Sequence, residues 1–92
     1  MSYTKIQQDI IQVVFEFYKD PKCTHEPCIE GLQATFKYKY THEEIEGNVL
    51  KLISKGVFEP YFFQSHLRFT ERFKYMKEYK RLMNSLSYMQ GL

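Results

Sequence analysis

Ile6, Ile10, Val13 and Phe17 recur at the three- and four-residue steps of an α-helix, and Ile11, Val14 and Tyr18 widen that stripe until it covers two sides. A helix that is apolar on two sides is stable in water only when other elements cover both. The segment, about 4–19, is therefore predicted to be a central helix whose cover the rest of the chain must supply. Asp20-Pro21 ends it, because proline disfavours helical backbone in the residue before it and has no N–H of its own. With 92 residues, 43% of them hydrophobic, one domain (1–92) with a single core is what the chain can build.

After a connection from Lys22 to Pro27, the residues Ile29, Leu32 and Phe36 mark one face of a short second helix, about 27–37, with Pro27 in its first turn. Thr41 followed three residues later by Glu44 is a capping-box pattern that opens a third helix, about 42–55. Ile45, Val49, Leu52 and Ile53 line its inward face, and Ser54-Lys55-Gly56 stops it with a glycine suited to left-handed backbone. Val57 to Phe63 has the β-branched and aromatic content of a strand, with Pro60 restricting it to an edge. Leu67-Arg68-Phe69 alternates, so a hairpin over about 57–69 is expected with Gln64-Ser65-His66 as its turn. Thr70 caps a last helix, about 71–90, along which Tyr75, Tyr79, Leu82, Leu86 and Met89 step by four, three, four and three. The fold class is mainly α with a small β-hairpin.

Several function classes drop out. No apolar run approaches the roughly 20 residues that span a bilayer, and the first residues lack the segments of a secretory signal, so a cytoplasmic protein without a membrane partner is expected. There is no glycine-rich phosphate loop, no nucleophile motif and no distinguished carboxylate pair, so no enzyme and no cofactor are expected. Cys23 and Cys28, with His25 between them, lack the second ligand pair of a structural zinc site, and His42 and His66 lie elsewhere; no metal is expected. Two unpaired thiols, with Cys28 half-buried on the second helix, is the plain reading, and a redox pair in a flexible loop is the alternative.

The stretch Ile29-Glu-Gly-Leu32-Gln-Ala-Thr-Phe36, then Thr41-His-Glu-Glu-Ile45, then Val49-Leu-Lys-Leu52-Ile-Ser-Lys-Gly56-Val57-Phe58, resembles the helix-turn-helix and first wing strand of the winged helix-turn-helix superfamily. Leu67-Arg-Phe69-Thr70 followed by Tyr75 and Tyr79 is similar to the last strand and closing helix of small bacterial, archaeal and viral regulators of that type. The resemblance covers about residues 4–82 and implies a winged helix-turn-helix with a C-terminal dimerisation helix. It further implies a third helix in the DNA major groove and a hairpin against the adjoining backbone.

The chemistry of the third helix fits that implication only in part. With its apolar stripe inward, rotation of about 100° per residue turns Glu43, Gly47, Leu50, Lys51 and Ser54 outward, flanked by Glu44 and Lys55. Phosphates repel carboxylates, so Glu43, Glu44 and Glu46 argue for a basic protein partner instead, although one glutamate can accept from cytosine N4. Gly47 exposes bare backbone to any approaching surface. Candidate DNA-binding residues are Lys37, Tyr38, Lys39 and Tyr40 in the turn, His42, Gly47, Lys51, Ser54 and Lys55 on the helix, and Arg68 and Arg72 where the hairpin returns.

Charge is unevenly spread: residues 1–40 are neutral, residues 41–60 carry −2 and residues 61–92 carry +4. In the last segment Lys74, Lys77, Lys80 and Arg81 surround the apolar seam, with Phe73, Met76 and Met83 extending it. An apolar seam longer than a small body can cover implies self-association, with Tyr75, Tyr79, Leu82, Met83, Leu86 and Met89 as candidate dimer contacts. Packing back onto the first helix is the alternative. The expected function is a DNA-binding transcriptional regulator acting as a homodimer. The competing expectation is a winged helix that recognises a basic protein without binding DNA. Replacing Leu82 and Leu86 by Lys is expected to give folded monomers, and an unchanged dimer mass in sedimentation refutes the terminal seam.

Overall fold

Thr4 starts the first helix through a reciprocal capping box: its hydroxyl accepts the Gln7 N–H at 3.3 Å, while Gln7 Oε1 accepts the Thr4 N–H at 3.2 Å. The computed structural model describes residues 3–20, 22, 26–61, 66–77, 79–81 and 84. Helix α1 (Lys5–Lys19) is followed by α2 (Ile29–Thr35), α3 (His42–Ser54), strands β1 (Phe58–Tyr61) and β2 (His66–Phe69), and a single turn, α4 (Glu71–Lys74). The chain is thus mainly helical with one two-stranded antiparallel sheet. Among the described residues no helix is long and apolar enough to cross a membrane.

α1 lies at the centre, but its buried row is rotated from the expected one. Ile10, Ile11, Val14 and Phe15 are fully enclosed, whereas Ile6, Val13 and Phe17 are half-buried at the edge and Tyr18 is exposed. Phe15 is drawn inward by rings that arrive from far along the chain: Phe69 lies 6.3 Å from it and Tyr79 packs edge-on at 5.6 Å. Periodicity within one helix carries no signal of such long-range partners.

α2 is shorter than its apolar spacing suggests. Its cap is Cys28, whose buried Sγ accepts the Gly31 N–H at 3.4 Å, so Pro27 precedes the helix instead of occupying its first turn. The thiol is buried, not half-buried. The backbone before the cap folds so tightly over the helix that a Cβ on Gly31 would lie 2.1 Å from the Glu26 carbonyl oxygen. α3 has the expected cap, with the Glu44 N–H donating to Thr41 Oγ1 at 3.1 Å and Thr41 N–H to Glu44 Oε1 at 3.0 Å. It ends where Gly56 takes φ 79°, a left-handed conformation that costs side-chain-bearing residues more.

The hairpin pairs Phe58 with Phe69 and Pro60 with Leu67. Leu67 turns both backbone groups away from β1: its N–H donates to the Pro27 carbonyl at 2.6 Å, and its carbonyl accepts the Tyr18 hydroxyl. Pro60 and Leu67 therefore form a non-hydrogen-bonded pair, so the N–H that proline lacks is not missed. The same two bonds tether β2 to the segment before α2 and to the end of α1. His66 is the first residue of β2 and not part of the turn; the rest of the expected turn, Gln64-Ser65, lies outside the described residues.

The last helix does not run unbroken from residue 71. Thr70 caps α4 as expected, accepting the Phe73 N–H at 3.0 Å, but the helix closes at Tyr75 and is helical again at Lys77 and Tyr79–Arg81. In a continuous helix residues six apart, such as Phe73 and Tyr79, point about 120° away from one another. Here, on either side of the break, both reach one ring: Phe69 stacks on Phe73 at 5.3 Å and meets Tyr79 at 5.5 Å. Gly31→Ala is expected to lower stability by about 1–3 kcal/mol, because backbone must move to admit the methyl group. Urea denaturation measures it, and an unchanged midpoint contradicts the close approach.

Candidate functional site

Burial of Ile45, Val49 and Leu52 fixes the rotation of α3. Polar bonds fix it from the side. Gln7, only 3% exposed, donates from Nε2 to Asn48 Oδ1 at 3.2 Å and accepts from Lys55 Nζ at 3.3 Å, so α3 is clasped to α1 at two points. The opposite face then carries Glu43, Glu46, Leu50, Lys51 and Ser54 into solvent. Leu50 is 58% exposed, in the middle of this face. A Cβ on Gly47 would meet nothing within 4 Å. Of the three glutamates at the start of the helix, Glu44 is engaged in the cap. Glu43 and Glu46 have no cationic partner among the described residues.

The candidate DNA-contacting residues separate into two groups. Lys39 Nζ lies 2.9 Å from Asp9 Oδ2, and the Tyr40 hydroxyl donates to the same oxygen at 2.6 Å, so half of the turn before α3 is tied to α1. Lys55 is held by Gln7 and lies over the Tyr3 ring at 5.3 Å. Arg68 pairs with Glu59 across the hairpin at 2.8 Å and covers the Tyr61 ring. These side chains have partners within the chain. Lys37, Lys51 and Arg72 are exposed and have no ion pair among the described residues; His42 and Ser54 are also exposed. Tyr38 is 92% exposed, with the Lys37 ammonium 5.3 Å from its ring centre.

Between α2, α3 and the hairpin runs a groove of about 410 Å³ lined mainly by Cys28, Ile29, Leu50, Ile53 and Pro60, with Glu30 on its rim. At one end His66 Nε2 lies 3.2 Å from Glu26 Oε2. Glu46 sits one turn before Leu50 on the same side of α3. The groove is thus apolar inside and acidic at its edges. Sequence periodicity signals half of it, through the outward Leu50 and the acidic helix start. The other half depends on how Ile29 and Pro60 meet α3, which local pattern does not encode.

Of the candidate dimer contacts, Tyr79 belongs to the core of its own chain, half-buried against Phe15, Phe69 and Phe73, while Tyr75 is 76% exposed. Leu82, Met83, Leu86 and Met89 lie outside the described residues, as do Cys23 and His25. Among the described residues no group of three or more His, Cys, Asp or Glu is placed to hold a metal ion. Sequence reasoning missed Gln7 and Asp9, since a polar residue on an amphipathic helix carries no mark of its partner.

Burial pushes the Asp9 carboxyl up, but hydrogen bonds from Tyr40, Lys39 and Lys5 outweigh it and hold the group at about 2, below its ordinary 3.8. A folded-state value below the unfolded one gives stability that is complete above about pH 4 and lost as pH falls towards 2. Asp9→Asn is expected to destabilise the chain by about 1–2 kcal/mol at neutral pH and by much less near pH 2. Denaturant midpoints at both pH values test this, and an equal gap at each contradicts it. A scan against protein-family models, a search of curated proteins and a search of solved structures each found no match to the chain.

Proposed function

We propose that the chain is a winged helix-turn-helix module that recognises a basic protein segment through the outward face of α3. The order helix, helix, helix, hairpin, with β2 bonded back to the segment before α2, supports the winged-helix reading. The carrying observation for protein recognition is that Glu43, Glu46 and Leu50 share one solvent-facing surface with no cationic partner among the described residues. Exposed leucine flanked by carboxylates suits a partner that brings cations around an apolar anchor. Duplex DNA would meet the same carboxylates with its phosphates. Four of the residues suited to DNA, namely Lys39, Tyr40, Lys55 and Arg68, already have partners within the chain. The function is binding, with no catalytic step.

Lys37, Lys51 and Arg72 favour the second reading, a DNA-binding regulator of transcription whose occupancy alters polymerase access. Fluorescence anisotropy separates the two. A synthetic helical peptide of Lys, Arg and Leu is expected to bind, and Glu43→Lys with Glu46→Lys to weaken it by roughly tenfold or more, with random duplex DNA bound weakly or not at all. Salt-sensitive DNA binding that Lys37→Ala and Lys51→Ala weaken, with no peptide binding, overturns the proposal in favour of DNA.

A further inference from the structure

We infer that the occupant of the groove between α2, α3 and the hairpin is a second copy of this chain, which delivers its basic C-terminal segment beyond Tyr79, residues 80–92. The inference rests on the protein-recognition reading of α3 and names its partner. Two unpaired sets of charges in the same chain carry it. Glu30 lines the apolar groove and Glu46 stands one turn before its Leu50 on α3; both are exposed, and neither has a cationic partner among the described residues. Lys80 and Arg81 are exposed, and neither has a carboxylate partner among the described residues.

The apolar content matches as well. The groove offers Leu50 at 58% exposure together with half-buried Ile29 and Ile53. Downstream of Arg81 the sequence supplies Leu82, Leu86 and Met89 at steps of four and three, the spacing of one helix face. Tyr79, locked among Phe15, Phe69 and Phe73, anchors the start of this segment to its own body. Beyond Tyr79 the sequence carries cations and apolar side chains together, the complement of an apolar groove with acidic edges. Reciprocal exchange between two copies gives a closed twofold dimer, in which each acidic groove receives the other chain's basic segment. Such a dimer covers the outward face of α3 in both copies, unlike one joined by two terminal helices side by side.

Sedimentation equilibrium of the full chain is expected to show a dimer that weakens as salt rises. Leu50→Lys, at an exposed position, is expected to keep the helical circular dichroism spectrum and to weaken self-association by roughly tenfold or more. The rim variant Glu30→Lys with Glu46→Lys and the tail variant Lys80→Glu with Arg81→Glu should each be monomeric. Mixed together they should form a heterodimer, because one groove and one tail of the native charge remain. A wild-type monomer at all concentrations, or a dimer indifferent to the folded Leu50→Lys and rim variants, overturns the inference. The Lys, Arg and Leu peptide, titrated onto the tail variant, separates the two levels: peptide bound by a chain whose wild type is monomeric removes only self-association, whereas no peptide bound removes the reading of α3 itself.

Discussion

The rotation of α3 about its own axis is the constraint on which everything at the surface depends. Ile45, Val49 and Leu52 are completely excluded from water, and each such burial contributes about 1.5–3 kcal/mol. A helix turned by even one residue, about 100°, would expose that stripe and bury Glu46 or Lys51. The apolar effect thus chooses the face, and the Gln7 clasp to Asn48 and Lys55 narrows the choice further. Glu43, Leu50 and Ser54 are outside because the inward set leaves them nowhere else to be. The function proposed for the chain is the chemistry of that remainder.

A second constraint operates where the hairpin meets the helices. Two bonds at Leu67, to the Pro27 carbonyl and from the Tyr18 hydroxyl, satisfy the outward backbone groups of that residue on β2. Burial and the neighbouring Tyr61 hydroxyl raise the Tyr18 pKa, against a weaker pull from Arg68, so the phenol keeps its proton and remains a donor. At Leu67 the edge of β2 therefore offers no free backbone group to another strand.

What could be read from the sequence was what is decided within a few residues. The Thr41 and Glu44 capping box, the stop at Gly56, the Thr70 cap and the outward set on α3 all arise from local geometry, and the structure has each of them. The misses share the opposite character. Phe15 is buried because Phe69 and Tyr79 reach it, and Phe73 and Tyr79 meet on Phe69 from either side of the break at Tyr75. Lys39 and Tyr40 look free in a run of alternating lysine and tyrosine, yet both belong to Asp9, some thirty positions earlier. Legibility ended where a partner lay far away in sequence, and that is also why the groove was only half visible.

Amide NMR shift mapping addresses the central claim most directly, because it reports which face of the folded chain a ligand touches. With a helical peptide of lysine, arginine and leucine as the titrant, the account predicts shifts concentrated at Gly47, Leu50, Ile53 and Ile29, with the far side of α1 unmoved. Shifts confined to the Lys37–Tyr40 turn and Arg72, or spread evenly over all exposed amides, would contradict it.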